Sequence, residues 1–240
     1  MYNQTIETEI YYSSGTKCAA SQPDYLELQL CGRKDMLRPV AERFIQKIFY
    51  KAYGAKIESF YPLLLVLIRY DGSFATVAGI RAAEQERLFL EHYLDQSVEE
   101  VIQAPRHTIV EIGNLAPADA GQARWLITTL CAFLTAAGFS HVVFTAVPRL
   151  RNAFQRMGLP LTELAKATPD HLSEAERSLW GNYYQNDPIV CVGDLRLGEE
   201  PLNEIARTDK SLEDLCHRAK EAGAVFREHL LWGSEEVVTE

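Results

Sequence analysis

The chain has 240 residues, 47% of them hydrophobic and 24% charged, with a formal net charge of −9 at pH 7. This suits one folded domain, with at most a small appendage, and a sizeable core; without a long basic run it argues against a nucleic-acid partner, because phosphate neutralisation needs clustered Lys and Arg. The five cysteines (Cys18, Cys31, Cys131, Cys191 and Cys216) include no C-x-x-C pair and the six histidines form no H-E-x-x-H, which argues against a disulfide framework or a zinc site.

Met1 to Ser21 is polar and has no basic segment leading into an apolar one, so it does not read as a secretory signal. The longest apolar run, Leu63 to Ile68, is too short to span a bilayer. Both point to a cytoplasmic protein with no transmembrane segment. Tyr25 to Leu30 alternates like a strand. Leu37 to Tyr53 places Val40, Phe44, Ile45, Ile48 and Phe49 on one helix face, with Pro39 in the first turn and Gly54 as the stop. PLLLVLIRY and FATVAGI are two strands joined at Asp71-Gly72, a turn signal. After LFLEHYLDQ come a strand over 108–113 and a helix over 122–137, whose face is Leu126, Leu130, Phe133, Leu134 and Ala137. His141 to Val147 is a strand, Leu150 to Met157 a short helix, and PLTELAKA and PIVCVGDL two further strands. Gly198 to Thr208 reads as a linker. Ser211 to Leu231 reads as an amphipathic helix with Leu212, Leu215, Ala219, Ala222, Phe226 and Leu230 on its apolar face. The predicted organisation is an extension over residues 1–30, a domain over 31–198, and a linker with a C-terminal helix over 199–240. The predicted fold class is α+β, with a mixed central sheet flanked by helices.

Three stretches carry chemistry. In NLAPADAGQ, Asn114 to Gln122, small residues and a glycine precede a helix. Amides over 120–124 suit an anion, with Arg124 adding charge; a plain loop capped by Asp119 or Gly121 fits equally. Glu111 interrupts the preceding apolar strand. It is either solvent-facing or paired with an Arg, or, if it faces a cleft, a base whose pKa burial would raise. RNAFQRMG puts Arg151, Asn152 and Gln155 on one side of a short helix and Phe154 and Met157 on the other. WGNYYQNDP is dense in aromatics: Trp180, Tyr183 and Tyr184 are either a loop anchor or a lid, with either tyrosine a candidate acid toward a leaving thiolate.

The order of elements resembles the acyltransferase fold called GNAT (Gcn5-related N-acetyltransferase). Its [RQ]-x-x-G-x-[GA] pattern is matched by Gly121 and Ala123, with Ala118 in place of the Arg or Gln. At a closer level, YGAKIESFYPLLL, VAGIRAA, LFLEHYLD, IVEIGNLA, VVFTAVPRLRNAFQRMGL and WGNYYQNDPIVCVGDL, in that order, resemble the thermostable haemolysin family. A more distant similarity is to the acyl-homoserine-lactone synthases. Their G-x-x-R motif corresponds to Gly79-Ile80-Arg81, offset, and their Glu-x-Ser-Arg to Glu111-Ile112-Gly113-Asn114, where Asn replaces Arg. The resemblance implies an N-acyltransferase that moves a medium or long fatty acyl group from a coenzyme A or acyl-carrier-protein thioester to an amine or amino acid. It binds no covalent cofactor and attacks directly within a ternary complex. The catalytic candidates are Glu111, Tyr183 and Tyr184. The donor- and substrate-binding candidates are Asn114, Leu115, Gly121, Ala123, Arg124, Arg81, Arg151, Asn152 and Trp180. A carrier-protein partner would need a basic patch, for which Arg149, Arg151 and Arg156 are placed; a homodimer, common in such folds, is left open. The alternatives are a membrane-active lytic protein and a non-catalytic binding module of the same fold.

Overall fold

The computed structural model describes residues 25–119 and 121–233, with side chains as far as 229. The N-terminal stretch read as polar, the Ala120 amide, Cys18 and the Leu230 side chain lie outside what is described. Seven strands form one sheet in the order β1-β2-β3-β4-β5-β7-β6. They are β1 (Leu26–Cys31), β2 (Leu63–Arg69), β3 (Phe74–Ala82), β4 (Ile109–Pro117), β5 (His141–Ala146), β6 (Thr162–Lys166) and β7 (Ile189–Asp194). Every pairing is antiparallel except β4 with β5. The helices are α1 (Arg38–Tyr53), α2 (Val98–Ile102), α3 (Gln122–Ala136), α4 (Pro148–Arg156), α5 (Glu174–Leu179), α6 (Leu195–Arg207) and α7 (Lys210–Gly233). The mixed sheet flanked by helices is the expected class.

Two helical layers cover the sheet because its strands are apolar on both faces. On one face Leu65, Leu67, Ile80, Val110 and Ile112 pack against Leu126, Leu130, Phe133 and Leu134 of α3, and Leu215 and Ala219 of α7 cover them further. On the other face Leu64, Val66 and Val77 pack against Ala41, Ile45 and Phe49 of α1. The predicted α1 face holds at Phe44, Ile45, Ile48 and Phe49, while at its start Ala41 is buried in place of Val40, which is 43% exposed.

The expected linker is a correction to the sequence reading: residues 195–207 are the helix α6. It is amphipathic, and buries Leu195 and Leu202 in the main core and Ala206 beside Leu212 and Cys216. Gly198 and Pro201 lower its intrinsic helicity, and tertiary burial overrides them. The C-terminal helix is also integral, since α7 lies along α3 and its Arg218 donates to the Leu26 carbonyl at 2.8 Å. Cys31, Cys131, Cys191 and Cys216 are buried free thiols. Desolvation pushes them up to about 11, about 12, about 11 and about 11, which leaves them inert as nucleophiles at neutral pH.

Candidate functional site

One extra residue in β4 builds the site. Gly79 pairs with Gly113 and Val77 with Ala116, so β4 takes three steps where β3 takes two. The bulge is at Asn114, which adopts φ 48°, a conformation asparagine tolerates better than most residues. Plain alternation would put Ala116 on the same face as Ile112. Instead Ile112 packs toward α3 and Ala116 toward α1. Leu115 is thereby turned to the α3 side. The predicted turn at 114–117 is thus still strand, a second correction, and only Ala118 onward leads into α3.

Pairing between β4 and β5 ends at Ile112 with Phe144. β4 continues to Pro117 and β5 to Ala146, each held only by its outer neighbour. The two parallel strands therefore part. Beneath the gap, between α3 and α4, lies a narrow cleft with a cavity volume of about 60 Å³. Its lining is wholly apolar and includes Leu115, Ala123, Leu126, Leu130, Phe144 and Phe154.

Glu111 lies on the opposite face, one residue before the strands part. It is 2% exposed. Its two oxygens accept the Phe89 and Leu90 backbone N–H groups, each at 2.9 Å. The Arg81 guanidinium stands 3.6 Å away, directly across the β3–β4 register. Burial pushes the Glu111 carboxyl above the usual range, opposed by those two N–H groups, by Arg81 and by the Tyr61 hydroxyl. Arg81 lies 4.2 Å over the Tyr61 ring, and its buried Nε stands 3.6 Å from a Glu86 carboxylate oxygen.

Tyr61 lies flat across the paired glycines. A Cβ on Gly113 would sit 2.5 Å from its Cζ, and one on Gly79 would sit 2.8 Å from its Cβ. Only glycine at both positions admits the ring. Asn114 Oδ1 accepts the Tyr61 N–H at 3.0 Å, and buried Arg38 donates to the Tyr61 carbonyl at 2.6 Å. The Phe89–Tyr93 helical turn that presents its amides to Glu111 has its own anchor. Glu91 accepts from Leu88 N at 2.8 Å, from Val98 N at 3.1 Å and from Arg106 Nη1 at 2.8 Å. Burial opposes ionisation of Glu91, but Arg106 and the Val98 and Leu88 amides outweigh it and hold the carboxyl at about 2.

The aromatic stretch closes this face. Trp180 packs on Phe89 at 5.7 Å and on Tyr183 at 5.2 Å between ring centroids. Tyr184 shares a 2.5 Å hydrogen bond with the hydroxyl of Tyr93. Desolvation pushes the Tyr184 phenol up to about 12, against that bond, and raises Tyr183 strongly. Both phenols are therefore neutral hydrogen-bond donors at pH 7. Gly181 docks the stretch against the end of α1, with φ 55°, where a Cβ would fall 2.1 Å from the Tyr53 carbonyl oxygen.

Of the predicted residues, Glu111, Arg81, Tyr183, Tyr184 and Trp180 come together on one sheet face. Leu115 and Ala123 line the cleft on the other, and Asn114 forms the bulge between them. Gly121 is exposed at the start of α3. Arg124 Nη2 is engaged away from the turn, donating to the Ile205 carbonyl at 3.1 Å and to Thr208 Oγ1 at 2.6 Å. Arg151 Nη1 donates to Ala146 O at 2.8 Å and Asp187 O at 3.2 Å, so it braces the free end of β5. Asn152 is exposed on α4, as are Arg149 and Arg156. Asp119 pairs with Arg69 at 2.8 Å and does not cap α3. Tyr61, Glu91 and Arg106 were not anticipated. The signal for Tyr61 was available, since two glycines in predicted strands mark a close approach.

The same architecture occurs in known structures. TofI in a ternary complex with an inhibitor and MTA gives a TM-score of 0.54 at 13% identity, covering 75% of this chain and 96% of that one. Apo TofI gives 0.55 at 12%, covering 74% and 96%. The AHL synthase LasI gives 0.50 at 10%, covering 71% and 90%. At such identities the likeness is one of fold, which is GNAT-like. No curated protein matches the sequence. The family described as Thermostable hemolysin matches residues 31–199, most of the chain, with β2 to β7 whole and β1 only at Cys31, and the protein belongs to that family.

Proposed function

We propose that the protein is an N-acyltransferase that moves a fatty acyl group from a coenzyme A or acyl-carrier-protein thioester to an amine or amino acid. The observation that carries this reading is the apolar cleft opening at the parting of β4 and β5, with a buried carboxylate on the opposite face. Both thioester carriers end in an arm bearing two amides. The edges that β4 and β5 turn toward each other beyond Ile112 and Phe144 have no strand partner, so they suit such an arm by strand-like pairing. The acyl chain then enters the cleft, and the thioester carbon faces the side of Glu111.

Within that arrangement the amine nitrogen attacks the thioester carbon, the C–N bond forms and the C–S bond breaks. Glu111 accepts the proton the amine sheds. Two of its lone-pair sites are taken by amides, and a carboxylate has about four, so it retains capacity. The proton ends on the departing thiolate. Tyr184, whose phenol holds its proton more tightly than a thiol does, steadies the developing charge as a hydrogen-bond donor and does not give up its proton. Arg81, whose guanidinium faces both Glu86 and Glu111 at 3.6 Å, holds the Glu111 carboxylate in position across the strands. Arg149 and Arg156 are exposed on α4 and available to an acidic carrier.

The lytic alternative finds less support. α1 and α7 spend their apolar faces on the two cores, and no helix among the described residues is long and apolar enough to cross a membrane. The test is product detection by mass spectrometry, with acyl-coenzyme A and acyl-carrier-protein donors offered against a mixture of amines and amino acids. Amide product and free thiol, both lost in a folded Glu111→Gln variant, are the expected result. Absence of product from either donor class, or full turnover by E111Q, overturns the donor or the base assignment respectively.

A further inference from the structure

The cleft has a second chamber behind it. A smaller hollow, with a cavity volume of about 20 Å³, lies between α4, β7 and α6. Cys131, Val142 and Phe154 line both spaces, so these three side chains form the partition. Phe154 is its largest member. It is 9% exposed and stacks on Phe144 with ring centroids 5.0 Å apart at 25°. Leu159, Leu195 and Leu202 make the far side apolar, and Gly193 and Gly198 leave it unfilled. A Cβ on Gly193 would make only ordinary contacts, 3.4 Å from both Leu161 Cδ2 and Val142 Cγ1.

We propose that Phe154 is the stop that sets the longest acyl chain this protein accepts, with the hollow behind it as latent room for a longer one. This rests on the acyltransferase reading above. The physics is simple: apolar cavities stay dry and take apolar guests. Each methylene that finds room tightens binding about fourfold, the equivalent of about 0.8 kcal/mol. A methylene that meets Phe154 gains nothing or forces repacking. Removing the ring joins the two chambers and moves the limit outward.

The experiment measures, by titration calorimetry, the affinity of straight-chain acyl-coenzyme A thioesters and of the free fatty acids of the same lengths. The proteins are wild type, Phe154→Ala, Phe154→Leu and Phe154→Ala with Gly193→Ala. In the wild type the affinity gain per methylene is expected to stop at a definite length. In F154A the gain continues to longer chains while short chains weaken, and adding G193A pulls the limit partly back. If F154A does not fold, the milder F154L carries the test, with a smaller extension of the same sign. An unchanged limit in folded variants that still bind acyl-coenzyme A overturns the role of Phe154 and leaves the acyltransferase reading standing. A limit that moves for free fatty acids when no coenzyme A form binds supports the stop and removes coenzyme A as the donor. Binding of neither probe by wild type overturns both.

Discussion

Glu91→Gln tests how the site is held. Glu91 is 7% exposed and anchors the turn whose Phe89 and Leu90 amides face Glu111. Its carboxyl falls from 4.5 to about 2 on folding. The sign is that of a depressed acid: the stabilisation is complete above the unfolded value and is lost as pH falls through the folded one. A shift of this size is worth about 3 kcal/mol at neutral pH, of which about 2 kcal/mol disappears between about pH 6 and pH 3. Glutamine keeps an oxygen for the Leu88 or Val98 amide but loses the charge opposite Arg106. Urea unfolding of wild type and E91Q at several pH values therefore yields two curves that lie about 3 kcal/mol apart at neutrality and narrow to about 1 kcal/mol by about pH 3. A gap that is the same at both ends would show that the Glu91–Arg106 pairing contributes nothing through its charge.

Three further outcomes follow from contacts at the site. Gly113→Ala drives a Cβ into the Tyr61 ring, at 2.5 Å from Cζ, and should cost about 1–3 kcal/mol by overpacking. The cost should shrink by more than about 1 kcal/mol in a Tyr61→Leu background, and equal costs in both backgrounds would contradict the contact. Gly181→Ala meets backbone, the Tyr53 carbonyl oxygen at 2.1 Å, at a positive φ. The aromatic stretch should undock, and near-ultraviolet circular dichroism should lose the Trp180–Tyr183–Tyr184 signal while the far-ultraviolet spectrum changes little. Glu111→Gln, if the protein folds, should lower turnover on the order of 100-fold or more, with acyl-donor affinity nearly unchanged because the cleft lies on the other face.

Much of the architecture is visible in the amino-acid pattern because alternation and helical periodicity are local. β2, β3, β5 and α3 are placed within two residues of their ends by apolar spacing alone. The misplacements have tertiary causes. Residues 114–117 look like a turn because Asn and Pro are turn residues, yet the strand continues, since Asn114 is fixed by the Tyr61 amide 53 positions away in sequence. α6 looks like a linker because glycine, proline and charge are locally unfavourable to helix, and only burial of Leu195, Leu202 and Ala206 decides otherwise. Glu111 stands out in sequence as a charge in an apolar strand. Glu91 does not, because an acid in the mixed stretch LFLEHYLDQ is ordinary until Arg106 and two amides converge on it. Arg124 and Arg151 have the right charge and place for phosphate, but the contacts above turn both toward backbone carbonyls, a choice no periodicity reveals.

The most direct measurement is a thermal-shift series of the purified protein against acyl-coenzyme A thioesters of increasing chain length, with free coenzyme A and S-adenosylmethionine alongside. A ligand that binds only the folded state raises the melting temperature by mass action. The acyltransferase account predicts a shift that grows with chain length and then levels, and is larger than that of coenzyme A alone. No shift with any acyl-coenzyme A or with acyl carrier protein bearing the same chains would contradict it.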